Sequence, residues 1–206
     1  MCGLNAARFA AAVIAIDTAN AADPTMIVVR GSSHPLALIH GQLAAEWVAK
    51  LHPEADEAWL LAARAHHLRR WEVPRTDYEP GKAGYLKWKR DQRTRHATDV
   101  GALLTEVEYE AADIERVQAL VRRDHLATDA GSQAIEDAAC LVFIETQLAD
   151  VAAKLDHDHV IDVIRKTSKK MTPKALGAVA QIPLGEAETS LLASALAPST
   201  RPKRFT

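Results

Sequence analysis

The chain has 206 residues, a formal net charge of −2, and a composition 48% hydrophobic but only 5% aromatic. That length suits one core with a tail, and the balanced charge excludes a globally polybasic binder of nucleic acid or anionic membrane. Two cysteines are too few for a disulfide framework, and no apolar run reaches the roughly 18 residues of a membrane span. The opening MCGLNAARF lacks a signal-peptide pattern, so a reducing cytoplasm is the expected location.

Residues 4–22 are alanine-rich, with Phe9, Val13 and Ile16 at helical spacing, and Asp23-Pro24 closes that helix. MIVV at 26–29 reads as an extended connector outside any sheet. Leu36, Ile39, Leu43, Trp47 and Leu51 form the stripe of a helix over 34–51. The next helix is expected to run unbroken over 53–71, followed by a Pro/Gly loop over 72–83. Tyr85, Trp88, Gln92 and His96 share one face of a further helix, with more helices over 100–109 and 111–124. The longest predicted helix covers 131–155, and shorter ones cover 157–170, the stretch opened by Thr172-Pro173, and 185–197. RPKRFT has no periodicity and reads as a loose tail. The expected fold is all-α, a single-domain helical bundle over 1–181 with a C-terminal helix and tail over 182–206.

Polar residues on apolar faces mark a candidate site. Leu60, Ala63, His67 and Trp71 fall on one face at helical steps, so His67 points inward. Asp137 lies one step before the stripe Leu141, Ile144, Leu148, Val151, Leu155, where an unpartnered carboxylate would be costly. His96 extends the Tyr85 face. Neutral imidazoles and a carboxylate from three helices suit a divalent ion such as zinc, manganese or iron. His40 is a fourth candidate ligand, His66 is expected one step too far round, and Cys140 is expected to be an ordinary buried thiol. The plain alternative is a buried polar network in which Asp137 pairs with Arg64 or Arg70.

Charge is segregated as well. Between Arg69 and Arg95 stand nine basic residues against four acidic ones, interleaved with Trp71, Tyr78, Tyr85 and Trp88. Forked guanidinium hydrogen bonds and aromatic stacking in such a patch suit a phosphate or nucleotide. The competing reading is a solvated face whose arginines lie over tryptophans. RKTSKKM at 165–171 and the pair Arg122-Arg123 either close the same anion site or cap helix ends.

The runs LAARAHHLRRWEVPR, GYLKWKR, QAIEDAACLVFIE and RKTSKKMTPKA resemble the family called domain of unknown function 4202, over residues 5–181. The resemblance places His67, Arg70, Trp71, Pro74, Arg75, Gly84, Tyr85, Trp88, His96, Glu136, Asp137, Lys166 and Lys170 in the family pattern. His66, Lys89 and Ser168 depart from its usual glutamine, arginine and tryptophan. A more distant likeness is to the HD-domain metal-dependent phosphohydrolases. It implies that His40, His67 and Asp137 stand for the first histidine, the paired histidine and the last aspartate, with His96 as an additional ligand. Leu68 occupies the place of the paired aspartate, which leaves that set one ligand short.

These readings combine into an expected metal-dependent hydrolase of a phosphorylated small molecule or nucleotide. Its metal would sit on His67, His96, Asp137 and His40, with Glu136 and Asp137 catalytic and Glu136 as general base. Arg70, Trp71, Arg75, Tyr85, Trp88, Lys166 and Lys170 would hold the substrate. A second reading keeps the Arg/Trp surface at 69–95 but makes it a non-catalytic binder of nucleotide or RNA.

Overall fold

Small residues let the helices of this chain approach closely, and the fold is built on that. A computed structural model describes residues 2–197, with side chains from Ala6 onward, and the chain is all-α. In chain order the helices are α1 (Cys2–Ala21), α2 (Leu36–Leu51), α3 (Glu57–Ala65), α4 (Gly81–Glu106), α5 (Ala111–Arg122) and α6 (Ala130–Thr146). They continue with α7 (Leu148–Lys154), α8 (His157–Ser168), α9 (Pro173–Ala178) and α10 (Glu186–Leu196). None is long and apolar enough to cross a membrane. The RPKRFT tail lies outside the described residues.

Helix α3 sits at the centre, touching α1, α2, α4, α5 and α6. Leu61, Ala62, Ala63 and Ala65 on it are fully buried. The α2–α3 contact depends on Gly41, where an added Cβ would stand 2.3 Å from the Arg64 carbonyl oxygen. Arg64 in turn grips Asp17 of α1 with two charge-assisted hydrogen bonds of 2.6 Å. At the other end of the chain, α10 packs on α8 through buried Leu192 and Ala195.

Four expectations need correction. MIVV is not a connector: it is strand β1 (Met26–Val29), paired antiparallel with β2 (Ser32–Pro35). Arg30 and Gly31 make the two-residue turn, both with positive φ (51° and 82°), as a tight hairpin requires. Arg30 then anchors the hairpin to Glu46 of α2 and Glu145 of α6. Second, the helix expected over 53–71 begins late and ends early. Asp56 caps α3 by accepting the Trp59 amide, and the helix stops at Ala65. Third, the predicted helix over 100–109 is the last part of α4, continuous from Gly81. Fourth, the stripe predicted over 131–155 is interrupted at Gln147, so Leu155 is 44% exposed rather than buried.

Candidate functional site

The early end of α3 creates the site. After Ala65 the chain turns through His66, His67 and Leu68 into a 3₁₀ turn at Arg70–Glu72. Arg69 takes a left-handed conformation (φ 51°), costly for a residue with a Cβ, and its amide is held by the side-chain oxygen of buried Asn20 at 3.1 Å. From α4, Gln92 donates to the carbonyls of Arg70 (3.0 Å) and Val73 (2.7 Å), and the Trp88 indole N–H donates to Val73 (3.0 Å). These contacts pin the segment 69–73 against α4 and turn Arg70 inward.

The result is a cavity of about 190 Å³ between α2, the 66–70 turn, α4, α6 and the end of α8. Four histidines line it: His40, His66, His67 and His96. So do five cations, Arg70, Lys89, Arg93, Arg123 and Lys170, against the one carboxylate of Glu136. Burial holds the His40 imidazole down at about 4 and that of His96 at about 3, with Arg70 adding to both. Burial also pushes His66 and His67 well below the ordinary range. At neutral pH the imidazoles are therefore uncharged, and the excess positive charge belongs to the arginines and lysines.

The hydrogen bonds assign the tautomers. One tautomer set satisfies both contacts of Thr146, its hydroxyl donating to the Val142 carbonyl (2.7 Å) and accepting from His40 Nε2 at 3.0 Å. His40 Nδ1 is then a lone pair, facing His67 Nδ1 at 3.4 Å, and His67 supplies the proton. His67 Nε2 is left unprotonated. On the neighbouring ring, His66 Nδ1 donates to the Ala63 carbonyl (2.8 Å) while its Nε2 is buried without a partner. Both His96 ring nitrogens are also buried without a well-formed hydrogen bond, the Leu68 carbonyl acting on the ring only loosely. Buried polar atoms without partners are rare and call for a ligand or water.

Glu136 is held by three cations: Arg93 at 2.9 Å, Arg123 at 3.4 Å and Lys170 at 3.9 Å. Burial works to raise its carboxyl, but Arg123, Arg93, Lys170 and Lys89 together hold it below the usual range. A carboxylate so stabilised is a weak base, and its contacts are with cations, so the structure places Glu136 as their counter-charge. Arg123 has φ 65°, and this left-handed turn at the end of α5 swings its side chain into the interior while Arg122 turns out to Glu115 and Asp124. Arg70 has no acidic partner among the described residues; its guanidinium lies 4.4 Å from the Trp88 ring centre.

Several predicted site residues lie elsewhere. Asp137 is 1% exposed and faces away from the histidines: Thr172 donates to it from its amide (2.9 Å) and hydroxyl (2.6 Å), and Gln133 adds a third bond (2.9 Å). It anchors the start of α9, and is neither on the cavity wall nor with the histidines. Arg75 spends its fork on the carbonyls of Tyr78, Glu79 and Gly81, bracing the loop before α4. Lys166 is on the outer face of α8 with Asp162. Tyr85 and Lys170 do line the cavity, while Trp71 and Trp88 line an adjoining chamber. Leu68 is fully buried core.

Among the described residues, no group of three or more His, Cys, Asp or Glu side chains is arranged to hold a metal ion. With Asp137 turned away and leucine at 68, the residues present do not fit the HD-type ligand set. Sequence reasoning counts Lys89 and Arg93 in the basic patch and puts Gln92 on the face of His96, but it singles out none of them, nor His66, as a wall residue. His66 was misplaced because its helical face was extrapolated past the true end of α3. The two charges at Lys89 and Arg93 are four apart on α4, a spacing that would have put them on one face. Cys140 matches the buried-thiol expectation, with burial pushing it up to about 12.

Comparison with known families settles the kinship. The family model for domain of unknown function DUF4202 matches residues 10–192. The chain belongs to this family. The match continues past Ile182 into α10, further than the quoted motifs reach. No curated protein and no solved structure matches the chain.

Proposed function

We propose that the cavity binds the phosphoryl group of a small molecule. One observation carries this reading: among the described residues, five cations and a single carboxylate converge on one cavity, open on one side, whose imidazoles are neutral. Crowding like charges on one wall is costly, and a dianionic ligand offsets that cost. Arg70 and Lys89 are the grip, with Lys170 beside them, since Glu136 holds Arg93 and Arg123 closely and Lys170 only at 3.9 Å. His96, with one N–H still to place, can donate to a phosphoryl oxygen, while the His66 Nε2 lone pair can accept from a surrounding water. A cavity of about 190 Å³ favours a small molecule over an RNA strand.

A second reading adds turnover. The chain Val142–Thr146–His40–His67 leaves His67 Nε2 as the one lone pair aimed by a hydrogen-bonded relay. That nitrogen is placed to accept a proton from a water attacking a bound phosphomonoester, and a bound dianion beside Arg70 raises the basicity that burial lowers in the empty site. Because the HD-type ligand set does not assemble, no step of this reading uses a metal.

The test is calorimetric titration of the protein with orthophosphate at low and high salt, with and without EDTA. Saturable binding that weakens with salt and survives EDTA is expected. Absence of binding in low salt would sink the reading. For turnover, phosphate release from a phosphomonoester should be lost in His67→Gln; release that persists in that variant removes the second reading alone.

A further inference from the structure

The cavity does not end at Arg70. A second chamber of about 320 Å³ shares His40, His67, Arg70 and Gln147 with the first, so the two are neighbours across one wall. Its own lining is of a different character: Leu36, Ala37, Trp71, Pro74 and Trp88. The carboxylate at its edge, Asp23, is fully engaged, one oxygen accepting from the Thr25 amide and the other from the Ala37 amide, each at 2.9 Å. Among the described residues, Arg70 is the one cation on this chamber's lining. Arg70 itself presents a flat guanidinium, stacked on Trp88, at the partition between the cationic and the aromatic halves.

Building on the phosphoryl-site reading, we propose that the ligand is a phosphomonoester of a planar, weakly polar ring, with its phosphoryl group in the cationic chamber and its ring against Trp71 and Trp88. Two observations select this class. The first chamber is smaller than the roughly 300–1,000 Å³ usual for small-molecule sites, and the second brings the whole into that range. The apolar wall of the second chamber gains little from a hydroxyl-rich ester without a planar ring, whereas a planar ring displaces water from it and stacks on indole. A nucleobase and a simple aryl group share this chemistry. Arg70 serves both halves, since a guanidinium can fork to phosphoryl oxygens in its plane while its face stays on an aromatic ring.

The experiment titrates the protein in one buffer with orthophosphate, ribose 5-phosphate, phenyl phosphate and adenosine 5′-monophosphate, following heat and tryptophan fluorescence. At least one ring-bearing ester should bind about tenfold more tightly than ribose 5-phosphate and alter the fluorescence. Which of the two gains tells aryl from nucleobase. In Trp71→Ala the ratio of affinities for esters with and without a planar ring should fall toward one. The wild-type comparison stands without that variant should it fail to fold. If orthophosphate binds but neither ring-bearing ester exceeds ribose 5-phosphate, the ring proposal is overturned and the phosphoryl site survives. If orthophosphate does not bind, both fall.

Discussion

Arg70 lies over Trp88, its guanidinium carbon 4.4 Å from the indole centre, and no carboxylate is paired with it among the described residues. Stacking of this kind offsets part of the desolvation of a buried cation, on the order of 1–2 kcal/mol, while the positive potential of four neighbouring cations works against it. The side chain is therefore held at a cost to the empty protein. Arg70→Met should weaken orthophosphate affinity by about tenfold or more and raise the melting temperature without ligand. A variant that binds normally, or one that is destabilised without ligand, contradicts this.

Glu136 sets the charge of the cavity from the opposite side. Replacing it with Gln removes the only carboxylate on the wall and frees Arg93 and Lys170 toward a ligand. Orthophosphate should bind more tightly to Glu136→Gln. Unfolding free energy should drop by about 3 kcal/mol, because buried Arg123 loses its counter-charge. Paired titration and urea denaturation read both; weaker anion binding would mean that Glu136 positions the cations instead of neutralising them.

The histidines predict an acid instability. A folded His40 near 4 and His96 near 3, against an ordinary 6.5, mean that the unfolded chain takes up protons first as pH falls. Their contribution is complete above about pH 6.5, is lost as pH drops through the window down to the folded values, and levels off below them. For His40 alone the loss is about 3 kcal/mol. Urea midpoints measured between pH 7.5 and 4.5 should fall steadily, and His40→Gln should flatten part of the slope. Constant midpoints across that range would show that the imidazoles are not buried neutral.

Asp137 should behave as a fold anchor. Its three hydrogen bonds tie α6 to Thr172 at the start of α9. Asp137→Ala should cost about 2–4 kcal/mol of stability, and Thr172→Val somewhat less. Orthophosphate affinity should stay unchanged wherever the protein remains folded. Loss of anion binding with an intact melting curve would return Asp137 to the site.

The sequence by itself determined that this chain is helical and that His40, His67, His96 and Trp88 lie on apolar helix faces, with Arg70 expected at the rim and Glu136 reached through the family resemblance. Those conclusions rest on periodicity, which reports the face of a helix a residue occupies, and on the density of arginine and tryptophan between 69 and 95. Only the tertiary structure decided which of these groups meet. Periodicity assumes the helix continues, and α3 does not: Asp56 caps it late, it ends at Ala65, and the left-handed Arg69 reverses the chain. That change brought His66 in from its expected place and aimed Arg70 across Trp88.

Long cationic side chains are a second limit, because a lysine or arginine is flexible enough that its partners, not its helix position, set its direction. Lys166 follows Asp162 outward, Arg75 follows three loop carbonyls, and Arg123 turns inward only because its backbone is left-handed. Asp137 was rightly placed in the interior, but an inward carboxylate has no preference between an imidazole cluster and a hydroxyl until the elements dock. The arrival of Thr172 35 residues later made that choice, and no local pattern around Asp137 records it.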